Sequence, residues 1–239
     1  NLDQSSHSPI QTTTNYDALG RIINTWDSLS NQTNRYVYDD YETSDFPQEF
    51  SDRIPECQLG ALCEVIAGNG KRHDAFSYYA SNTPNGSQIE SSLNRIKGGG
   101  AAAFTNFLFS FKYDGLGRVT DQTNPNGATI KRTYEGGLQS SVTLELANGE
   151  SKEIYQSSNL NDFGAFQDME FGNGVLVNKT VDRLGRKTGI KASTQPVLSF
   201  PQSVLFDEQY AIDSASTVLA RSSMISGNSS TAEEDLIGD

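Results

Sequence analysis

The chain has 239 residues, with 30 acidic against 18 basic side chains and a formal net charge of −12. Such a surface repels phosphate backbones, and the longest basic runs are the pairs Lys71-Arg72 and Lys131-Arg132, so nucleic acid is excluded as a partner. Apolar residues make up 35%, Gly numbers 21 and Tyr plus Phe far outnumber the single Trp, a profile of strands joined by polar turns rather than of a helix bundle.

The segment 1–44 opens without Met or a basic-then-apolar leader, as expected for a piece of a longer chain. It contains Tyr16-Asp17-Ala18-Leu19-Gly20-Arg21, the first copy of a motif that returns twice. The segment 45–103 breaks the period and is expected to be an insertion. An acidic run, Asp39 to Asp52, leads into it and reads as a solvated loop. Cys57 and Cys63 follow, and two states stay open for them: a short disulfide loop in an oxidising compartment, or a pair of free thiols. Metal is disfavoured, because only His7 and His73 could join them and neither has finger-like spacing. Ala67 to Lys71 predicts a turn, and Tyr78-Tyr79 the start of a strand. Ile89, Leu93 and Ile96, spaced by four and three, predict a short helix over Ser87 to Lys97, ended by Gly98-Gly99-Gly100.

The segment 104–192 carries the motif most densely. Tyr113-Asp114-Gly115-Leu116-Gly117-Arg118 and Val181-Asp182-Arg183-Leu184-Gly185-Arg186 are its second and third copies. Tyr134 follows Tyr113 by 21 residues, and Tyr155 follows Tyr134 by 21 more. Asn126-Gly127, Asn148-Gly149 and Asn173-Gly174 fall between neighbouring units and predict two-residue type I′ hairpin turns, with positive φ at both positions. The flanks alternate as strands: Phe107, Phe109, Phe111 and Tyr113 share one face, as do Val142, Leu144 and Leu146. Each unit therefore reads as a β-hairpin whose other turn is Asp-x-Leu-Gly-Arg. In that turn Asp accepts backbone amides, Gly supplies a conformation closed to other residues, Leu plugs the turn against the sheet, and Arg pairs with an Asp of its own or a neighbouring unit. The Tyr ring packs inward and leaves its hydroxyl at the edge. The segment 193–239 holds strand-like patches at Phe206 to Ala211 and Ser216 to Met224, then a polar acidic tail from Gly227 that reads as disordered or as a cut boundary.

Three copies of Tyr-Asp-x-Leu-Gly-Arg with turn signals in register resemble the YD-repeat, or Rhs-repeat, family. The resemblance covers Tyr16 to Tyr38 and Tyr113 to Thr188. It implies a long antiparallel sheet that spirals into a hollow shell, as in bacterial Rhs proteins, the B and C components of insecticidal toxin complexes, and teneurins. In the bacterial members the shell encloses a toxic polypeptide; in teneurins it is a cell-surface adhesion module. The family's shells need many more repeats than this chain holds, and the Asp-Pro-x-Gly-Leu self-cleavage segment is missing. The resemblance thus implies a strip of wall: a mainly β protein of repeated hairpins forming a curved sheet, with a mixed insertion.

The motif residues Tyr16, Asp17, Leu19, Gly20, Arg21, Tyr113, Asp114, Leu116, Gly117, Arg118, Asp182, Leu184, Gly185 and Arg186 are accordingly expected to be structural. Catalytic chemistry needs a nucleophile beside a base, and the two His residues lie in polar, loop-like contexts without a Gly-x-Ser-x-Gly elbow. Gly68-Asn69-Gly70-Lys71 lacks the spacing of a phosphate loop. Asp168 with Glu170, weighed as a calcium pair, matches no calcium-loop pattern. No apolar stretch approaches the roughly 18–20 residues that span a bilayer. The expectations are no enzyme, no cofactor and no metal. The expected partners are other parts of a long polypeptide or toxin-complex subunits, and an enclosed cargo, outside the cell or on its surface. The rival reading is an adhesion module in which the 45–103 insertion meets a glycan or surface receptor. A glycosidase using two carboxylates is a third reading that sequence leaves open.

Overall fold

β-branched and aromatic residues in short alternating runs, cut at regular intervals by Gly, Asn and Asp, favour strands over helices throughout. The computed structural model describes residues 10–42, 46–52, 57–98, 103–194, 203–225 and 235–236. They form two compact units, Asn1–Ala128 and Thr129–Asp239.

The first unit holds β1 (Thr12–Tyr16), β2 (Ile22–Asp27), β3 (Gln32–Tyr38), β4 (Leu62–Ala67), β5 (Arg72–Tyr78), β6 (Ile89–Ile96), β7 (Thr105–Tyr113) and β8 (Val119–Thr123). One helical turn, α1 (Gln48–Ser51), lies between β3 and β4. Each strand pairs antiparallel with the next in sequence, from β1–β2 through β7–β8. The second unit repeats this plan with β9 (Thr129–Glu135), β10 (Leu138–Glu145), β11 (Ser151–Leu160), β12 (Phe166–Phe171), β13 (Val175–Val181), β14 (Lys187–Thr194), β15 (Val204–Ile212), β16 (Val218–Ile225) and β17 (Asp235–Leu236). Again consecutive strands pair antiparallel. Among the described residues neither unit pairs its first strand with its last, so neither closes into a barrel. The repeated-hairpin, mainly β architecture expected from the sequence is the one observed.

Three local expectations are corrected. The helix over Ser87 to Lys97 is strand β6. Ile89 and Leu93 are an even number of residues apart, so a period of two satisfies them as well as 3.6 does, and Ser91, Leu93 and Arg95 are the buried alternation. Ile96 falls on the opposite parity and is exposed. Tyr78 ends β5 rather than beginning a strand. The Asn-Gly turns are not type I′. At Asn126-Gly127, Asn148-Gly149 and Asn173-Gly174 only the Gly has positive φ (81°, 87° and 82°). The Asn side chain instead accepts the amide two residues on, from Ala128, Glu150 and Val175. The first two are closed by paired backbone bonds, Asn124 N to Ala128 O and Leu146 N to Glu150 O among them. They are type I turns continued by a left-handed Gly, the longer hairpin connection. A two-residue turn with both φ positive does occur, at Gly136-Gly137 between β9 and β10.

The apolar core of the first unit is local. Phe50, Ala75 and Leu93 are fully buried, with Tyr41, Phe46 and Leu108 packed on them. Ala75, Leu93 and Leu108 sit directly opposite one another across β5, β6 and β7 and so share one face. In the second unit Phe166 is the buried apolar side chain among the described residues. The acidic tail from Gly227 lies outside the described residues apart from Asp235 and Leu236.

Candidate functional site

The three motif copies fold into one turn, repeated with near-identical geometry. Asp17 Oδ1 accepts the amides of Leu19 and Arg21 at 2.8 and 2.9 Å. Asp114 Oδ1 accepts those of Leu116 and Arg118 at 2.9 and 3.0 Å. Asp182 Oδ1 accepts those of Leu184 and Arg186 at 2.8 and 3.0 Å. The second carboxylate oxygen takes the Nε of the motif Arg, at 2.6 Å in the first copy and 2.7 Å in the other two. Gly20, Gly117 and Gly185 all adopt φ +78°, which a side chain resists. One carboxylate thus closes the loop and holds the guanidinium.

These bonds favour the ionised acid. The Arg21 amide holds the Asp17 carboxyl below its ordinary value, and the Arg118 guanidinium and amide do the same for Asp114. At Asp182, partial desolvation pushes upward, but the bonds from Arg186 and Leu184 outweigh it and the net shift is down.

The Arg also reaches beyond its own turn. Arg21 grips Asp39 with both terminal nitrogens, at 3.1 and 2.7 Å, while its guanidinium lies 4.4 Å from the Tyr38 ring centre. Arg186 donates to the Asp213 carbonyl at 2.6 Å and to Ser216 Oγ at 3.2 Å. Asp39 and Asp213 open the following turns on the same edge of their own units, so the side chain that closes one turn staples it to the next.

Three further turns of this kind carry little of the motif in sequence. Asn161 Oδ1 accepts the amides of Phe163 and Ala165, both at 3.0 Å, with Asn in place of Asp. Asp213 Oδ1 accepts Thr217 N at 2.7 Å, with Ser216 at φ +70° in place of Gly. The third is divided. Asp39 N donates to Ala61 O at 3.1 Å, as Asp17 N donates to Arg21 O, and Gly60 at φ +88° donates to Asp39 Oδ1 at 2.5 Å. Tyr38-Asp39 and Leu59-Gly60-Ala61 are therefore two halves of one turn, with residues 40–58 spliced between them.

The motif leucines do not plug the turn. Leu19, Leu116 and Leu184 are 77%, 78% and 61% exposed, and Leu59 of the divided turn is also exposed. The Asp-anchored loop turns this position outward, because its amide, not its side chain, is the group drawn toward the carboxylate. The Tyr positions differ from one another: Tyr16 is largely exposed, whereas Tyr113 donates its hydroxyl to the Ile89 carbonyl at 2.8 Å.

The described residues of the spliced segment, 40–42, 46–52 and 57–58, pack against the β4–β7 strands of their own unit. Tyr41 donates to the Phe76 carbonyl at 2.6 Å, and the amide of Glu42 to Glu64 Oε1 at 2.6 Å. Tyr41, Phe46 and Phe50 pack edge to face, with Phe50 fully buried. Cys57 and Cys63 form a disulfide, Cα atoms 5.8 Å apart, that ties the returning end to β4. Beneath the segment lie Glu64, His73 and Arg95, all buried, with His73 Nε2 2.7 Å from Glu64 Oε2 and Arg95 4.4 Å from the Phe104 ring centre. His73 is thus in strand β5 and not in a loop, while His7 lies outside the described residues. The acidic run is correspondingly anchored in part: Asp39 by Arg21 and Glu42 by Arg35 at 2.5 Å. Asp168 and Glu170 lie on strand β12, not in a loop. Among the described residues no group of three or more His, Cys, Asp or Glu is arranged to hold a metal ion, and no helix is long and apolar enough to cross a membrane.

No protein-family profile matches the chain, and no curated protein matches it. Solved structures do. The crystal structure of TcdB2-TccC3 aligns with a TM-score of 0.52 and 17% identity over 91% of this chain and 12% of that one. TcdB2-TccC3 without its hypervariable C-terminal region aligns at 0.51 with 18% identity, over 89% and 11%. The Photorhabdus luminescens Tc holotoxin pore aligns at 0.52 with 17% identity, over 91% and 11%. At these identities the likeness is one of fold, and the chain spans a small part of each neighbour's length. The hairpin array described above has the fold of a stretch of Tc toxin chains.

Proposed function

We propose that the chain is a wall segment of a YD-repeat shell of the Rhs and toxin-complex type, whose work is to enclose or display another polypeptide during delivery outside the producing cell. The observation that carries this reading is the stapled turn edge. An Arg that closes its own turn and grips the next fixes the register of successive hairpins, which is what a long, self-supporting sheet requires and what an isolated domain does not. The fold likeness to Tc toxin chains supports the same reading. Its partners are then further hairpins of a longer polypeptide, subunits of a toxin complex, and an enclosed cargo. The role is non-catalytic: the motif carboxylates are occupied by backbone amides and by Arg. The rival reading, recognition through the insertion, gains nothing from the geometry, since the Phe46 and Phe50 rings are packed against the sheet.

Electron microscopy of the natural full-length polypeptide tests the proposal. A hollow particle with internal density is expected, together with cargo that resists protease until the shell is opened. A solid particle, or cargo cleaved equally fast with and without an intact shell, overturns it.

A further inference from the structure

Five Asn-Gly pairs punctuate the chain, at Asn69, Asn85, Asn126, Asn148 and Asn173. Gly has no Cβ to shield its amide, so in this dipeptide an asparagine side chain is open to attack by its own backbone. Ring closure needs the Asn Cγ to swing onto the Gly nitrogen, and four of the five side chains are tied away from it. Asn126, Asn148 and Asn173 accept the amides of Ala128, Glu150 and Val175 at 3.1, 3.0 and 3.2 Å. Asn69 is held twice: its Oδ1 accepts from Thr33 N at 2.9 Å, and its Nδ2 donates to Asn31 O at 3.1 Å.

Asn85 is the exception. Its side chain makes no hydrogen bond among the described residues, and only its carbonyl is engaged, by Gln88 N at 3.0 Å. The Gly amide does not distinguish the five pairs. Each donates to the carbonyl three residues back, as Gly86 N does to Thr83 O at 3.0 Å and Gly174 N to Phe171 O at 2.8 Å. Exposure would rank the pairs the other way, since Asn69, Asn126, Asn148 and Asn173 are exposed and Asn85 is half-buried.

We infer that Asn85-Gly86 is a site of spontaneous deamidation, and that their hydrogen bonds protect the other four pairs. The Gly86 nitrogen gives up its proton to solvent and bonds to Asn85 Cγ; the Cγ–Nδ2 bond breaks, and Nδ2 takes up a proton and leaves as ammonia. Water then opens the cyclic imide at either carbonyl, giving aspartate, or isoaspartate with the main chain rerouted through Cγ. A water is consumed, and no oxidant or reductant enters. The rerouted chain is longer by a methylene where there is no room for one: a Cβ on Gly86 would already lie 2.7 Å from Ser81 O. The loop 79–88 also anchors its neighbours. Tyr79 O accepts from Gln58 Nε2 of the spliced segment, and the Tyr79 hydroxyl donates to Phe111 O at 2.8 Å. Isoaspartate at position 85 is thus a slow, one-way loosening of the grip on that segment's returning end, and it is independent of the shell reading.

Peptide mapping by mass spectrometry of the full chain, aged at mildly alkaline pH, tests this. Asn85 is expected to convert first, with the other four slower by roughly two- to tenfold, the size of one hydrogen bond that must open. In urea the five rates should converge, which separates the folded geometry from the local sequence. Aged wild type should also be cleaved faster by protease than fresh protein within residues 40–58. Asn85→Gln, whose longer side chain does not close the favoured ring, should age without that change. No conversion at Asn85, conversion led by one of the exposed pairs, or the same ranking in urea as in buffer overturns the inference, and cleavage unchanged by ageing overturns the loosening.

Discussion

A single carboxylate does the closing in each motif turn, and its partners separate charge from shape. Asp114 holds two backbone amides and the Arg118 guanidinium, whereas the turn at Asn161 is closed by the same two amide bonds to a neutral side chain. Asp114→Asn should therefore keep the turn and lose the ion pair, while Asp114→Ala loses both. We expect Asp114→Ala to lower the thermal midpoint by roughly 2–4 °C and Asp114→Asn by less, measured by calorimetry. The pH dependence has a definite sign. Asp17, Asp39, Asp114 and Asp182 all have folded-state pKa values below their ordinary ones. The unfolded chain thus binds their protons first, so this stability is present above the ordinary carboxylate range and is lost as the pH falls through the lowered values. Melting curves from pH 7 to pH 3 should steepen downward below about pH 4, and less so in Asp114→Asn. A wild-type midpoint that does not move in that window would contradict this account.

Between neighbouring elements, the glycines do two separable jobs. At Gly20 an added Cβ meets nothing within 4 Å, so Gly20→Ala carries only the cost of φ +78°, about 1–2 kcal/mol. At Gly185 the same Cβ would lie 2.6 Å from the Phe163 ring, which crosses from the turn before. Gly185→Ala is expected to destabilise more than Gly20→Ala, and Phe163→Ala to remove the excess in a double-mutant cycle. Equal effects at the two glycines would show that the ring contact carries no weight. At this scale the sequence was legible wherever one residue type had one local job, as in Asp-x-Leu-Gly-Arg. It misled where two geometries share a spelling. Asn-Gly serves both a type I′ turn and a type I turn continued by Gly, and the Asn126 and Asn148 side chains select the second. Ile89 and Leu93 satisfy both periods, and only the strand β7 beside them decides. The outward leucines were misread because their apolarity was taken for burial.

For the first unit as a whole, the spliced segment concentrates in one place the core that repeat hairpins leave thin. Phe50 is fully buried against Ala75 and Leu93, so Phe50→Ala should cost roughly 3–5 kcal/mol. The loss should appear as protease cleavage within residues 40–58 before the strands unfold. Cys57→Ser with Cys63→Ser should speed the same cleavage by freeing the returning end, and cleavage no faster than in the wild type would mean that packing alone holds it. The sequence shows a break in the repeat and leaves the Cys57–Cys63 disulfide open, but the divided turn is not legible in it, because half of the motif at Tyr38-Asp39 stands 20 residues from Leu59. The Glu64–His73 contact was hidden for a related reason: nothing in a one-dimensional pattern says that a second layer will cover β4 and β5.

The clasp formed by Asp39 N and Ala61 O has a consequence for how such chains diversify. Its two ends stand as close as those of an uninterrupted turn, so the backbone of β3 and β4 does not register whether three residues or a whole module departs between them. Lengthening a loop costs free energy only logarithmically. Every Asp-x-Leu-Gly-Arg turn is on this view a socket, into which foreign segments with adjacent termini can be grafted while the ladder on either side keeps its pairing.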